Sequence, residues 1–347
     1  MRDYPISQVY PWDKRSLAQI DALLQKEGIT RDGNLDYICA MRDGSDEIIA
    51  TGSCFGCTLR CFAVSSEHQG EGLLNEIISH LIQVQYARGN MHLFLYTKIQ
   101  SAKFFGDLGF YEIARVDGTL VFMENRKSGF PTYLKNLEKT KKDGVSAALV
   151  MNANPFTLGH QYLVETAAAK CDTLHLFILS EDASLVPFGV RKRLVQEGVA
   201  HIPNVVLHDS GPYIISSATF PSYFLKDEAA VIDGHARLDL AVFARIAKAL
   251  NVTVRYVGEE PTSQVTGLYN QIMAAQLPAA GIDCRVIPRK AVDGKAISAS
   301  TVRQALQAGD WDKLKTLVPP TTLQYFTSPE AAPVLDRIRR AGNVVHY

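Results

Sequence analysis

The sequence predicts an α/β protein in two halves: a mixed α/β half, then a half built on a parallel sheet. Three observations carry this. After residue 145, apolar strand-like runs alternate regularly with helix-like stretches, the pattern of a parallel sheet covered on both faces. Before residue 125, short strand runs cluster around two helical periods. Between the two, Lys127, Lys135, Lys139, Lys141 and Lys142 crowd a segment that also holds Gly129 and Pro131. This stretch, 126–144, reads as a solvated linker with one helical piece. At 347 residues the chain is long enough for two domains, placed here at 1–125 and 145–347.

In the first half, Leu17, Ile20, Leu23 and Leu24 recur at helical spacing, and Gly28 follows as a stop. Strand-like runs at 35–42, 47–54 and 59–65 come next. Leu73, Leu74, Ile77, Ile78, Leu81 and Ile82 then mark a helix over 72–88. A strand at 92–97, a short helix at 101–108 and strands at 111–116 and 120–124 complete the half. In the second half, strands are predicted at 146–151, 173–179, 205–209 and 252–257.

Basic and acidic residues number 36 each, so no global field favours nucleic acid or an anionic membrane. No apolar run approaches the roughly 20 residues that span a bilayer, and the first residues lack a signal-peptide core. The expectation is a soluble, cytoplasmic protein. Of the six cysteines, Cys54, Cys57 and Cys61 form a C-x2-C-x3-C cluster. Yet 51–64 reads as two strands meeting near Gly56, with Leu59, Cys61 and Ala63 sharing one alternating face. Cys61 then points away from the other two, and the cysteines, Cys171 and Cys284 included, read as structural thiols.

The chemistry concentrates in the second half. In Met151-Asn152-Ala153-Asn154-Pro155-Phe156-Thr157-Leu158-Gly159-His160, an apolar strand ends at Asn152, a polar turn follows, and a helix starts near His160. Parallel sheets bind ligands at the carboxyl ends of their strands, where helix N-termini present their positive ends. Gly159 leaves room for a phosphate to approach the backbone. His160, in the first helical turn, is placed to donate to phosphoryl oxygens, with Thr157 as a second donor. Roughly 140 residues on comes Ile297-Ser298-Ala299-Ser300-Thr301-Val302-Arg303. Its hydroxyls open a helix as N-caps, and they offer phosphate contacts with Arg303 supplying positive charge.

The T-x-G-H segment resembles the signature of the HIGH-type nucleotidyltransferase superfamily, and 297–303 resembles its I-S-S-T-x-x-R motif. The resemblance implies a Rossmann-like nucleotidyltransferase domain followed by C-terminal helices. It implies an ATP site of Asn152, Asn154, Pro155, Phe156, Gly159, Ser298, Ser300, Thr301 and Arg303, with His160 and Thr157 catalytic. Lys170 stands where such enzymes often place a phosphate-binding lysine; a helix-terminal cation is the other reading. Arg193, in the run Arg191-Lys192-Arg193, reads as solvated helix charge within reach of substrate. Gly258-Glu259-Glu260-Pro261 follows a strand, a natural place for adenine recognition through backbone groups. The triphosphate calls for Mg2+ without a dedicated all-protein metal site.

In the first half, His68-Gln69-Gly70-Glu71-Gly72-Leu73-Leu74 resembles the pyrophosphate loop of GNAT acetyltransferases, where backbone N–H groups at a helix start form an anion nest. Leu74 departs from the usual small residue. Residues 101–110 resemble a second GNAT segment, with Phe105 where a tyrosine commonly protonates the leaving thiolate. Phenylalanine has no such proton. The half therefore reads as a GNAT-like mixed α/β domain that holds a CoA-like arm at Gln69, Gly70, Gly72 and Phe105.

Both halves together resemble the citrate lyase ligase family almost end to end. That implies an AMP-forming acid–thiol ligase. It would activate acetate with ATP as acetyl-AMP, then pass acetyl to the phosphoribosyl-dephospho-CoA thiol of the citrate lyase acyl-carrier subunit. AMP and pyrophosphate would be released, the lyase switched on, and neither nucleic acid nor membrane involved. Two other readings stay open at this point: an N-acetyltransferase fused to an independent nucleotidyltransferase, and a non-enzymatic ATP sensor.

Overall fold

The computed structural model describes residues 4–181, 184–214, 220, 228–259, 264–292, 294–342 and 344. The chain divides into two compact units, residues 1–132 with 221–241 and residues 133–220 with 242–347. As predicted, the first is mixed α/β and the second holds a parallel sheet.

The first unit begins with β1 (Ile6–Val9), α1 (Lys14–Lys26), β2 (Tyr37–Arg42), β3 (Ile48–Phe55) and β4 (Thr58–Val64). It continues through α2 (Leu73–Ala87), β5 (Phe94–Thr97), α3 (Ile99–Asp107), β6 (Tyr111–Val116) and β7 (Leu120–Glu124). The seven strands form one sheet ordered β1-β2-β3-β4-β5-β7-β6. Every neighbouring pair is antiparallel except β4–β5, which runs parallel and is registered only at Thr58–Phe94 and Leu59–Leu95. The sequence pattern missed β1: only Val9 of its four residues is buried, so no alternation betrays it. It is held instead by pairing with β2, from Ile6–Met41 to Val9–Ile38.

The expected common face for Leu59, Cys61 and Ala63 is corrected. Leu59 packs in the cluster of Cys54, Ile77 and Leu81, whereas Cys61 and Ala63 pack in that of Ile20 and Leu24. Two residues on β4 oppose one on β3 between the Thr51–Ala63 and Ser53–Arg60 pairs, and Cys61 takes φ +53°. Such a bulge inserts a residue and moves every later side chain to the other face. All six cysteines are free. Burial pushes the thiols of Cys39 and Cys61 up to about 12 and that of Cys54 to about 11, which makes them poor nucleophiles.

The lysine-rich stretch contains α4 (Gly129–Glu138). It is less solvated than its composition implies: Phe130 and Leu137 are buried, and the Phe130 N–H donates to Glu124 Oε1 at 2.7 Å.

The second unit carries β8 (Ser146–Met151), α5 (Leu158–Ala168), β9 (Thr173–Ile178), α6 (Phe188–Gly198) and β10 (Val205–Asp209). After α7 (Glu228–Leu250) come β11 (Val252–Gly258), α8 (Gln264–Gln276) and β12 (Asp283–Ile287). The five strands are all parallel, in the order β10-β9-β8-β11-β12. The central β8 is the continuous apolar run Ala147-Ala148-Leu149, fully buried, as a strand covered on both faces must be. The edge strand β12 lacks that signal because most of its residues are exposed. A short ribbon of β13 (Ala291–Val292) and β14 (Lys295–Ala296) precedes α9 (Ala299–Ala308). Three more helices follow: α10 (Trp311–Leu317), α11 (Pro320–Thr327) and α12 (Ala332–Arg340). Among the described residues no helix is long and apolar enough to cross a membrane.

Candidate functional site

The order β10-β9-β8-β11-β12 places the loop after β8 at the middle of the sheet's carboxyl edge, where open α/β sheets bind ligands. The local sequence builds this loop from unusual backbone. Ala153 takes φ +50° and Asn154-Pro155 is a cis peptide. Phe156 then enters the core fully buried, against α6, where a Cβ on Gly198 would lie 2.4 Å from its ring. Phe156 and the buried Pro155 thus anchor the loop and present no open surface to a nucleotide.

Thr157 caps α5, accepting the His160 backbone N–H at 3.2 Å. The Thr157 backbone N–H donates back to His160 Nδ1 at 3.1 Å, closing a reciprocal capping box. Because Nδ1 accepts, the neutral ring carries its proton on Nε2. Burial first, then the charges of Arg289 and Arg303, pull the His160 pKa down to about 4. The imidazole is therefore neutral at physiological pH, with a fixed tautomer. Thr157 is 1% exposed and its hydroxyl faces His160, so it positions the histidine and is not itself an open donor.

Gly159 has a different reason from the one its position suggested. A Cβ there would lie 3.0 Å from the Ile297 carbonyl oxygen and 3.5 Å from Ile297 Cβ. The missing side chain lets the two motifs, roughly 140 residues apart by sequence, come into backbone contact. Ser298 caps α9 by accepting the Thr301 N–H at 3.1 Å, and its hydroxyl also meets those of Ser300 and Thr301 at 3.4 and 2.8 Å. The half-buried hydroxyls of Ser298, Ser300 and Thr301 thus gather at a helix start beside Gly159.

Arg303 departs from expectation. It is 2% exposed; its Nη1 donates to the Asn154 carbonyl and its Nε to that of Val344, each at 2.6 Å. It ties α9 to the loop after β8. Asn154 itself accepts the Val186 N–H at 3.0 Å on Oδ1, while its buried Nδ2 has no partner among the described residues. Asn152 donates through Nδ2 to Ser184 Oγ at 3.1 Å.

A residue that sequence reasoning passed over completes this edge. Arg191, fully buried on α6, donates to the carbonyls of Asn152, Leu179, Glu181 and Val186 at 2.6–3.0 Å. It clamps the carboxyl ends of β8 and β9 together. Its one sequence signal was spacing: Leu194 and Val195, three and four residues on, put Arg191 on the buried face of α6. Arg193, by contrast, pairs with Glu330 at 2.9 Å and lies over Tyr325.

Lys170 is not brought to the site. It is exposed just beyond the far end of α5, ten residues after His160, which at 1.5 Å per residue is about 15 Å along the helix. It leads into the amino end of β9, so it belongs to the opposite edge of the sheet. At the end of β11, the Gly258 carbonyl accepts from Asn270 at 3.1 Å. Glu259 donates its N–H to Ile287 at 2.9 Å and accepts from Arg289 Nε at 2.7 Å. These backbone groups, expected to read adenine, already serve the fold. Glu260 and Pro261 lie outside the described residues. Among those described, no group of three or more His, Cys, Asp or Glu is placed to hold a metal ion.

In the first unit, Gly70 and Gly72 adopt φ +86° and +85°, with Gly72 at the N-cap of α2 and Gln69 exposed. These are the left-handed positions that a glycine loop at a helix start supplies. Phe105 is 4% exposed and packs edge-on to Phe104 and Phe110. It is a core residue and lines no open surface.

A family model described as the citrate lyase ligase C-terminal domain matches residues 146–326. The chain is 37% identical to the [Citrate [pro-3S]-lyase] ligase of Haemophilus influenzae over 321 residues, covering 90% of this chain and 96% of that one. It is 38% identical to the protein of the same name from Escherichia coli K12 over 322 residues, covering 90% and 91%. Similar solved structures include Thermotoga maritima TmcAL bound with alpha-thio ATP (14% identity, TM-score 0.38, 52% of this chain and 54% of that one). Another is the ribosomal-protein-S18-alanine N-acetyltransferase of Escherichia coli (18% identity, TM-score 0.28, 35% and 92%). By the family match over its second half and the identity along nine-tenths of its length, the chain belongs to the citrate lyase ligase family.

Proposed function

We propose that this ligase activates acetate with ATP, forming acetyl-AMP and pyrophosphate. Acetyl would then pass to the thiol of the phosphoribosyl-dephospho-CoA group on the citrate lyase acyl-carrier subunit, with release of AMP and activation of the lyase. The observation that carries the nucleotide step is the reciprocal Thr157–His160 box at the start of α5. It holds a neutral imidazole with its proton on Nε2, a fixed donor beside the positive end of a helix dipole.

In this reading an acetate oxygen attacks the α-phosphorus and the α–β bridging oxygen leaves with pyrophosphate. Negative charge accumulates on phosphoryl oxygens as the bond breaks, and the His160 Nε2–H donates to them without giving up its proton. The hydroxyls of Ser298, Ser300 and Thr301, with the N–H groups that open α9, receive the departing pyrophosphate. Asn154 Nδ2, without a partner among the described residues, is a donor that a ligand oxygen would satisfy. The thiolate then attacks the acetyl carbonyl carbon of the mixed anhydride, and AMP leaves with the former carboxylate oxygen. The ATP charge calls for Mg2+, which proteins hold largely through phosphate oxygens and water. The first unit, with its glycine loop at Gln69–Gly72 and no tyrosine at Phe105, suits a domain that binds the prosthetic arm and does not acetylate amines itself.

The test is acetate-dependent exchange of labelled pyrophosphate into ATP, followed by acetyl transfer to the carrier subunit. Wild type should exchange without the carrier, and His160→Ala should exchange about 100-fold more slowly or worse, with ATP affinity changed far less. Exchange at the wild-type rate in that variant would remove His160 from the mechanism. Acetylation of small amines by acetyl-CoA without ATP would instead favour a fused N-acetyltransferase.

A further inference from the structure

We infer that Arg289 is the side chain that meets the nucleotide phosphates, the role the motif offers to Arg303 and the fold assigns elsewhere; the inference rests on the nucleotide reading above. Arg289 lies two residues beyond the end of β12, on the same carboxyl edge as the loop after β8. Three contacts fix its place. Its Nε donates to the Glu259 carbonyl at the end of β11, at 2.7 Å. The carbonyl of the next residue, Lys290, accepts the Ile297 N–H at 3.0 Å. The Ile297 carbonyl in turn sits 3.0 Å from where a Cβ on Gly159 would be. A short backbone path therefore runs from Arg289 to the helix start that carries His160.

The electrostatics agree. Among the charges that depress the His160 pKa, Arg289 ranks ahead of Arg303. Arg303 is closed in by its backbone bonds at 2% exposure, whereas Arg289 is only half-buried. A neutral histidine contributes direction but no charge, so a triphosphate beside it needs a permanent cation. A guanidinium supplies one, with a planar fork suited to two phosphate oxygens. The Glu259 carbonyl, holding Nε, sets the orientation of that plane.

The test uses Arg289→Gln and Arg289→Lys in the full-length protein. It measures the dependence of pyrophosphate exchange on ATP and on acetate, and follows the His160 ring by NMR titration. The expected result for Arg289→Gln is a KM for ATP raised about tenfold or more, with the KM for acetate changed by less than about twofold. Arg289→Lys should recover part of the loss, since it keeps the charge and loses the fork. In Arg289→Gln the His160 midpoint should also move upward while Arg289→Lys leaves it nearly in place, which separates loss of the charge from loosened packing around the ring. An ATP dependence like that of wild type, with an unmoved His160 midpoint, would overturn the inference. Absence of exchange in the wild type would instead overturn the nucleotide reading, and the titration would still report whether Arg289 faces the imidazole.

Discussion

Gly159→Ala tests the junction of the two motifs. The new Cβ would stand 3.0 Å from the Ile297 carbonyl oxygen, 3.4 Å from Thr157 Oγ1 and 3.5 Å from Ile297 Cβ. Ordinary contact begins near 3.4 Å, so the Ile297 backbone must withdraw by about 0.4 Å. It cannot do so by rotating a side chain, because the obstructing atom is backbone, fixed by the Ile297 N–H bond to Lys290. Overpacking of this kind costs about 1–3 kcal/mol, and replacing glycine in a helix returns at most about 1 kcal/mol. The net expectation is a loss of about 1 kcal/mol in urea unfolding. Displacing the Ser298–Thr301 helix start by a few tenths of an ångström should also slow pyrophosphate exchange by about tenfold or more. A variant that is stabilised by the full helical gain and exchanges normally would refute the close approach.

Further outcomes follow from the same contacts. Burial lowers the pKa values of His160, His175 and His208 from 6.5 to about 4. The unfolded chain therefore takes up protons near pH 6.5 that the folded chain refuses, and stability should fall as pH drops from 6.5 towards 4. His160 alone should account for a loss on the order of a few kcal/mol across that window. Urea midpoints that do not fall between pH 7 and pH 5 would contradict it. Arg191→Met keeps the volume but leaves the carbonyls of Asn152, Leu179, Glu181 and Val186 without that donor. It should destabilise by about 3 kcal/mol or more, read by denaturant unfolding, and a loss below about 1 kcal/mol would show the clamp to be dispensable. Lys170→Ala should retain exchange within about twofold of wild type, since about 15 Å of helix separates it from His160; a hundredfold loss would restore it to the site.

Much of this protein was legible before any coordinates. The apolar runs of β8 and β9 announced a parallel sheet because a strand buried on both faces needs no alternation, and the edge strand β10 showed through its run Val205-Val206-Leu207. β1 and β12 were not, since these two edge strands are held by pairing and expose at least half of their residues, which leaves little apolar pattern. Cys61 shows a related limit: one inserted residue reversed the faces, and a bulge carries no composition signal here.

The sequence by itself determined the residue types of the candidate site and their order along the chain. Thr157 and His160 at a helix start, and Ser298 and Thr301 at another, are local capping patterns, and local patterns are written in neighbouring residues. Only the tertiary structure decided which of the charged groups stay at the site. Arg303 is turned to backbone carbonyls, Arg191 is buried as a clamp, Lys170 is left at the wrong edge, and Arg289, two residues past β12, is held at the end of β11 by the Glu259 carbonyl. The physical reason is that a long cationic side chain has no local signature of its partner. Where its charge goes depends on which carbonyls and strand ends the fold gathers around it.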